Sequence, residues 1–208
     1  MDGVARPGPE NMAVDEWLLG AAELPVVRVY GWLAGWGSCG YFVKHEEAEK
    51  ALAGLQWVRR WTGGGIVDHR RDWTYTVVIP RGEVLAASRG AESYRVIHRA
   101  LARAMSVAGL ALAGEAAPAA GGVCFHQAVE HDVVDAAGRK LAGAGQRRTA
   151  DGLLHQGSVA VKGDVELARK LAAELARDVV EVDFQPPEER IATLVTERYG
   201  SVAWRDRR

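Results

Sequence analysis

The stretch Arg59-Arg60-Trp61-Thr62-Gly63-Gly64-Gly65-Ile66-Val67-Asp68-His69 decides how this chain is read. Three consecutive glycines cost backbone entropy and bring no side chain to a core. They lie between two hydrophobic runs of strand character, residues 55–58 and 74–79. Bare backbone at such a place marks a β-bulge, a tight hairpin, or a point that something must approach closely. Two arginines enter the loop and a histidine leaves it. That combination tilts the reading toward a pocket for a small molecule bearing a carbonyl or an anionic group. The loop is not a Walker A loop, because no Gly-Lys-Ser/Thr follows, and it lacks the GxGxxG spacing of dinucleotide sites.

Working outward, residues 11–21 have a helical apolar face in Met12, Trp17, Leu18 and Ala21, with Asn11 or Glu10 as its opening. Residues 26–30 are β-branched and read as a strand, as do residues 38–42; residues 46–53 read as a short helix. Residues 93–109 give the clearest helical period: Tyr94, Ile97, Leu101, Ala104, Met105 and Ala108, with Gly109 as the stop. Its other face carries Arg95, Arg99 and Arg103, either a solvated stripe or a docking face for an acidic protein. Residues 113–122 form a small-residue loop, and residues 128–134 and 139–142 read as strands joined at Ala136-Ala137-Gly138. A strand over 158–162 and helices over 165–176 and 187–199 complete the chain; Pro187 and Gly200 bound the last helix. Strand runs that cluster with few helices between them predict an α+β fold with a mixed, largely antiparallel β-sheet flanked by helices.

The 208 residues are 48% hydrophobic, enough for one well-buried core. Charged residues make up 25% and the net charge is -1, which argues against a global grip on nucleic acid or membrane. The N-terminus lacks the apolar core of a signal peptide, and no apolar stretch approaches the roughly 20 residues of a membrane span. The two cysteines, Cys39 and Cys124, belong to no CxxC pair or zinc-like cluster, so free thiols in a reducing cytoplasm and no metal site are expected.

Three candidates carry chemistry. The glycine loop is the first. The second is Gly138-Arg139-Lys140-Leu141-Ala142-Gly143-Ala144-Gly145-Gln146, where a lysine among small residues can extend its ammonium toward a carbonyl or phosphate, or else form a solvated hairpin. The third is Cys124. A lone cysteine is commonly an inert apolar residue. With a free-thiol pKa near ~8.5, it needs a nearby cation to act as a thiolate. Lys140, sixteen residues downstream, could supply one; His126 is a weaker candidate base, and Cys39 reads as structural.

At these residues the sequence resembles the lipoate-protein ligase and octanoyltransferase family, related in fold to biotin-protein ligases. Residues 59–69 match its Arg-Arg-x-Thr/Ser-Gly-Gly-x-x-x-x-His signature, and residues 138–146 match its Gly-Arg-Lys-x-x-Gly-Ser-Ala-Gln segment. Asn11-Met12-Ala13-Val14-Asp15-Glu16 resembles its first helix, and Arg28-Val29-Tyr30-Gly31-Trp32, Gly40-Tyr41-Phe42 and Thr74-Tyr75-Thr76 fit its strands. Val123-Cys124-Phe125 resembles the cysteine segment of the octanoyltransferases that work through an acyl-enzyme. Two positions depart from the pattern: Gln156 stands where the family has a histidine before Gly157, and Ala144-Gly145 replaces Ser-Ala.

The resemblance implies a biotin/lipoate-ligase-like catalytic domain over residues 1–208, without the C-terminal accessory domain of full-length ligases. It implies Cys124 and Lys140 as catalytic residues. Arg59, Arg60, Thr62, Gly63, Gly64, Gly65, His69, Gly143, Gln146 and Gly157 would line the substrate site. The acyl group would pass from an acyl carrier protein to Cys124, then to a lysine of a lipoyl-domain or glycine-cleavage H-type acceptor, with no cofactor. An ATP-dependent lipoate ligase, or the catalytic half of a two-chain ligase, is the alternative and would need ATP and Mg2+. A non-catalytic acyl-binding paralogue is the third possibility.

Overall fold

The computed structural model describes residues 4–114, 128–161, 163–183 and 185–207. In chain order the elements are β1 (Ala5–Arg6), α1 (Gly8–Ala21), β2 (Val26–Trp32), β3 (Trp36–Cys39), α2 (His45–Ala51), β4 (Gln56–Arg59), β5 (Ile66–Asp68) and β6 (Trp73–Pro80). There follow α3 (Val84–Ala87), α4 (Gly90–Met105), β7 (Ala111–Leu112), β8 (Val133–Val134), β9 (Lys140–Thr149) and β10 (Gly152–Val159). The chain closes with α5 (Val165–Leu175), α6 (Glu188–Leu194), a π-helical turn at Val195–Tyr199, and α7 (Val202–Arg205).

Among the described residues the strands form a seven-stranded sheet, ordered β1-β2-β6-β10-β9-β8-β7, and a three-stranded sheet, ordered β4-β3-β5. Only the β1–β2 and β3–β4 pairs are parallel. The fold is therefore α+β with a mixed, largely antiparallel sheet, as the clustered strand runs predict. No helix among the described residues is long and apolar enough to cross a membrane.

The large sheet is covered on both faces. All eight residues of β6 are buried, and so are all eight of β10. Successive strand side chains point to opposite faces, so each of these strands feeds two cores. Tyr75, Val77, Ile79 and Leu153 pack against Ile97, Leu101 and Ala104 of α4 and Leu171 of α5. Val78 and Leu154 pack on the opposite side against Met12, Leu18 and Leu19 of α1 and Ile191 and Leu194 of α6. Cys39, Ala48 and Trp57 form a separate small core beneath the three-stranded sheet, which places Cys39 as a structural residue.

Several elements differ from the sequence expectation. α1 starts at Gly8, and Asn11 is an inside residue rather than the cap: its Nδ2 donates to the Gly31 carbonyl at 3.0 Å. The second strand ends at Cys39, because Tyr41 turns away to bond the glycine loop. α4 stops at Met105, where Ser106 takes a left-handed conformation (φ 54°); Gly109 lies in the turn beyond. Of the expected strand over 128–134 only Val133–Val134 pairs. β9 is much longer than residues 139–142, and β10 starts at Gly152 rather than at 158. Glycine-rich sequence hid both strands, since small residues weaken the alternating signal. Residues 113 and 114 of the small-residue loop form a turn; the rest of that loop lies outside the described residues.

Candidate functional site

The glycine loop is neither a bulge nor a hairpin. Its flanking strands, β4 and β5, do not pair with each other but lie on either side of β3. The loop crosses over the end of β3 and wraps the chain there. Gly40 N–H donates to the Gly65 carbonyl at 3.0 Å, and Tyr41 N–H to the Thr62 carbonyl at 2.9 Å. A Cβ on Gly40 would come within 2.0 Å of the Gly64 carbonyl oxygen, and one on Gly145 within 2.4 Å of the Gly63 carbonyl oxygen. The close approach that bare backbone suggests is thus partly internal: the loop is pressed between residue 40 and β9. Gly64 has φ +92°, a conformation that favours glycine. A Cβ on Gly63 or Gly65 would meet no atom of the described residues within 4 Å.

Arg60 organises this loop from within. It is buried, and its Nη2 donates to the carbonyls of Gly63 (3.2 Å) and Gly65 (3.0 Å). Its Nη1 donates to Ser38 Oγ at 2.6 Å. Burial lowers the affinity of this guanidinium for its proton, but arginine remains charged. Because Ser38 Oγ already accepts from Arg60, its own proton goes to His69 Nε2, 2.6 Å away. That leaves Nδ1–H of His69 to donate to Asp72 Oδ2 at 2.8 Å. The ring is fixed further by stacking on Trp32, with centroids 3.8 Å apart. Arg60, Ser38, His69 and Asp72 form one buried chain behind the loop. Thr62 Oγ donates to Gln156 Oε1 at 2.7 Å and closes the loop onto β10.

Arg59 departs from the substrate contact expected of it. It is fully buried, and its guanidinium donates to the backbone carbonyls of Gly40, Tyr41 and Val43 and of Trp204 and Arg205. Trp204 Nε1 returns a bond to the Arg59 carbonyl at 3.0 Å. This arginine ties α7 to the small sheet. Strand alternation separates the adjacent arginines, one toward the chain's C-terminal segment and one toward the loop.

The lysine segment supplies the opposite wall. Along β9, Gly143 and Gly145 share the face that meets the loop. Lys140 folds over Gly143: a Cβ there would lie 2.5 Å from its Cε and Nζ. The ammonium pairs with Asp132 Oδ2 at 2.7 Å, and Asp132 is fully buried. Burial pushes the Asp132 carboxyl upward, and the Lys140 charge pulls it back. Lys140 and the glycine loop are therefore neighbours on one face of β9, about 7 Å apart along the strand.

Gln146 and Gly157 belong to the other face. Gln146 Nε2 donates to His155 Nδ1 at 2.9 Å, and its Oε1 accepts from Ser93 Oγ at 2.9 Å. Gly157 makes room for the Tyr75 ring, which a Cβ would meet at 2.2 Å. His155 is buried there beside Tyr75, Tyr94 and His98, and burial drives its pKa well below the usual histidine value. Gln156, in the place of the family histidine, points to the α1 side, where its Nε2 donates to Asp15 Oδ2 at 2.6 Å. The order His155-Gln156 thus puts the imidazole on the α4 face and the amide on the α1 face.

Sequence reasoning passed over Ser38, Asp72, Asp132, His98 and Asp15. Asp132 alone carried a usable signal: an acid across a glycine turn from Lys140. Cys124, with Phe125 and His126, lies outside the described residues. No group of three His, Cys, Asp or Glu side chains among the described residues is placed to hold a metal. Of the α4 arginine stripe, Arg95 pairs with Glu92 at 2.7 Å and Arg103 with Glu174 at 3.5 Å.

A model of the lipoyl protein ligase A/B catalytic domain matches residues 7–197. The chain belongs to this family. It is 36% identical to an octanoyltransferase LipM of Symbiobacterium thermophilum over 193 residues, covering 82% of this chain and 68% of that protein. It is 32% identical to octanoyltransferase LipM of Carboxydothermus hydrogenoformans, with 80% and 65% covered, and 32% identical to that of Oceanobacillus iheyensis, with 90% and 72% covered. The chain spans about two thirds of the length of these relatives. Among solved structures it superposes on lipoate-protein ligase A bound with ATP, with a TM-score of 0.70, 19% identity, and 99% and 98% of the two chains covered. A bipartite lipoate protein ligase of Thermoplasma acidophilum, solved in a study with its E2 lipoyl domain, gives a TM-score of 0.68 at 18% identity, with 99% and 96% covered. These structures establish the catalytic-domain fold.

Proposed function

We propose that the chain is an acyltransferase of lipoyl assembly, moving an octanoyl (or lipoyl) group through a thioester on Cys124 to a lysine of a lipoyl-domain acceptor. The similarity to octanoyltransferases supports the reaction. The observation that carries it is the placement of the Lys140 ammonium, paired with Asp132 at 2.7 Å, on the β9 face that meets the glycine loop. A cation fixed beside bare glycine backbone suits an acyl carbonyl whose oxygen gains negative charge.

In the first half-reaction the Cys124 thiolate attacks the thioester carbonyl of the donor, an acyl carrier protein, and the carrier thiolate leaves. In the second, the neutral ε-amine of the acceptor lysine attacks the Cys124 thioester. The amide forms, the Cys124 thiolate leaves, and the amine's extra proton passes to water. Lys140 orients the acyl carbonyl in both steps, and backbone N–H groups of the loop assist. Arg60, Ser38, His69 and Asp72 keep the loop in shape. No cofactor enters this sequence. The acceptor is a lipoyl domain or a glycine-cleavage H-type protein, and the reaction is cytoplasmic.

Intact-mass measurement after incubation with octanoyl-acyl carrier protein tests the proposal. An octanoyl adduct is expected on the wild type and not on Cys124→Ala. Lys140→Ala should cut transfer sharply while the protein stays folded. An unmodified wild type that lipoylates an acceptor only with ATP, Mg2+ and lipoate would replace the transferase with the ligase.

A further inference from the structure

We propose that Asp132 positions Lys140 for acyl transfer, holding its ammonium laid over Gly143 toward the glycine loop; the catalytic consequence rests on the role given to Lys140 above. The Lys140 side chain is 17% exposed and that of Asp132 is 0% exposed, at a separation of 2.7 Å. Asp132 is itself fixed from several sides. Its Oδ2 accepts from Val129 N–H at 2.9 Å. Its carbonyl accepts from Ala113 N–H at 2.7 Å, and its neighbour's, that of His131, accepts from His98 Nδ1–H at 2.7 Å. The carboxylate is a rigid anchor, whereas a lysine on its own has four rotatable side-chain bonds.

The second half of the device is Gly143. An added Cβ would stand 2.5 Å from Lys140 Nζ and 3.1 Å from Asp132 Oδ1. The ion pair therefore occupies the volume that a side chain at 143 would take, on the same β9 face as Gly145 and the loop. Asp132 Oδ1 is buried with no hydrogen-bond partner among the described residues. The other titratable groups that face this pair are His98 and Tyr94 from α4 and Tyr75 from β6, with His131, the neighbour of Asp132 in the chain, acting on His98. Burial holds His98 neutral, with a pKa of about 4, so it adds no competing positive charge near neutral pH.

Acetic anhydride labelling, read by peptide mass spectrometry between pH 6 and 10, tests the pairing on the full chain without requiring activity. Lys140 should label at least tenfold faster in Asp132→Asn than in wild type, with Lys44, Lys50 and Lys170 as unchanged internal references. In parallel, Asp132→Asn should lower kcat for acyl transfer at least tenfold with the donor KM within twofold, and Asp132→Glu should restore part of it. Gly143→Ala should lower kcat as well, by displacing the ammonium without removing either charge. Thermal melting confirms that each variant is folded. Unchanged Lys140 labelling in Asp132→Asn would overturn the pairing, and wild-type kcat in that variant would overturn its catalytic consequence. Should the wild type transfer no acyl group, the proposed reaction fails, while the labelling still decides whether Asp132 holds Lys140.

Discussion

Asp15 and Asp132 are both fully buried carboxylates, and they are held in opposite ways. Asp15 Oδ1 accepts from Arg28 at 2.6 Å; its Oδ2 accepts from Tyr30 at 3.1 Å, Thr76 at 2.8 Å and Gln156 at 2.6 Å. Arg28 also donates to Asn11 Oδ1 at 2.9 Å. Every oxygen in that cluster is used, and α1, β2, β6 and β10 are locked together by it. Asp132 has Lys140 and one backbone N–H on a single oxygen, and no partner on the other among the described residues. Fully satisfied polar networks specify a unique core, whereas unsatisfied buried groups mark places where chemistry or a ligand is to be sought. One carboxylate builds the fold; the other is the one proposed to serve the reaction.

Breaking the satisfied side should have the largest effect on stability. Asp15→Ala leaves the Arg28 guanidinium, 2% exposed, buried without its carboxylate. Removing one partner of such a pair costs about 3–5 kcal/mol. Urea unfolding should show that loss, whereas Asp132→Asn should cost less, about 1–3 kcal/mol, because the Lys140 side chain is 17% exposed and can turn its ammonium to water. Equal losses for the two would erase the distinction between them.

The next effect is pH-dependent and belongs to the Asp132 side. Burial depresses the folded-state pKa of His98 to about 4, and that of His155 also falls well below its usual value. Unfolded histidines titrate near ~6.5, so between that pH and the depressed folded values the unfolded chain binds more protons. Stability is therefore complete above about pH 6.5 and declines as pH falls toward 4, with His98 alone accounting for roughly 3 kcal/mol. Urea midpoints measured from pH 7.5 to 4.5 should fall, and His98→Asn should flatten the slope. An unchanged slope in that variant would mean that His98 does not stay neutral in the fold.

Much of this contrast was hidden in the sequence, for physical reasons. The α+β class and the long α4 period were legible, because apolar spacing reports directly on burial. The register of β9 and β10 was not: glycines and alanines carry no alternation, yet these strands form the centre of the sheet. Arg59 and Arg60 look equivalent as neighbours, and only the strand shows that they face opposite ways. His155 and Gln156 present the same difficulty, since one residue of displacement exchanges the two faces. Asp15 and Asp132 are single acids with no motif around them. What separates them is how many donors converge on each, a property of tertiary contacts between distant segments.

The smallest effect on stability is expected in the loop, where the same contrast recurs in bare backbone. Gly145 lies on the closed side: a Cβ would meet the Gly63 carbonyl oxygen at 2.4 Å and Thr62 Oγ at 2.9 Å. Gly145→Ala must push the loop off β9, with an overpacking cost of about 1–3 kcal/mol. Gly63 lies on the open side, with nothing among the described residues within 4 Å of an added Cβ and no positive φ to strain. Gly63→Ala should therefore leave urea unfolding within about 0.5 kcal/mol of wild type. Its methyl group would enter the space proposed for the acyl chain, so the donor KM should rise. A Gly63→Ala protein with unchanged stability and unchanged KM would place the substrate elsewhere, and the openness at residue 63 would then reflect only the absence of a neighbour.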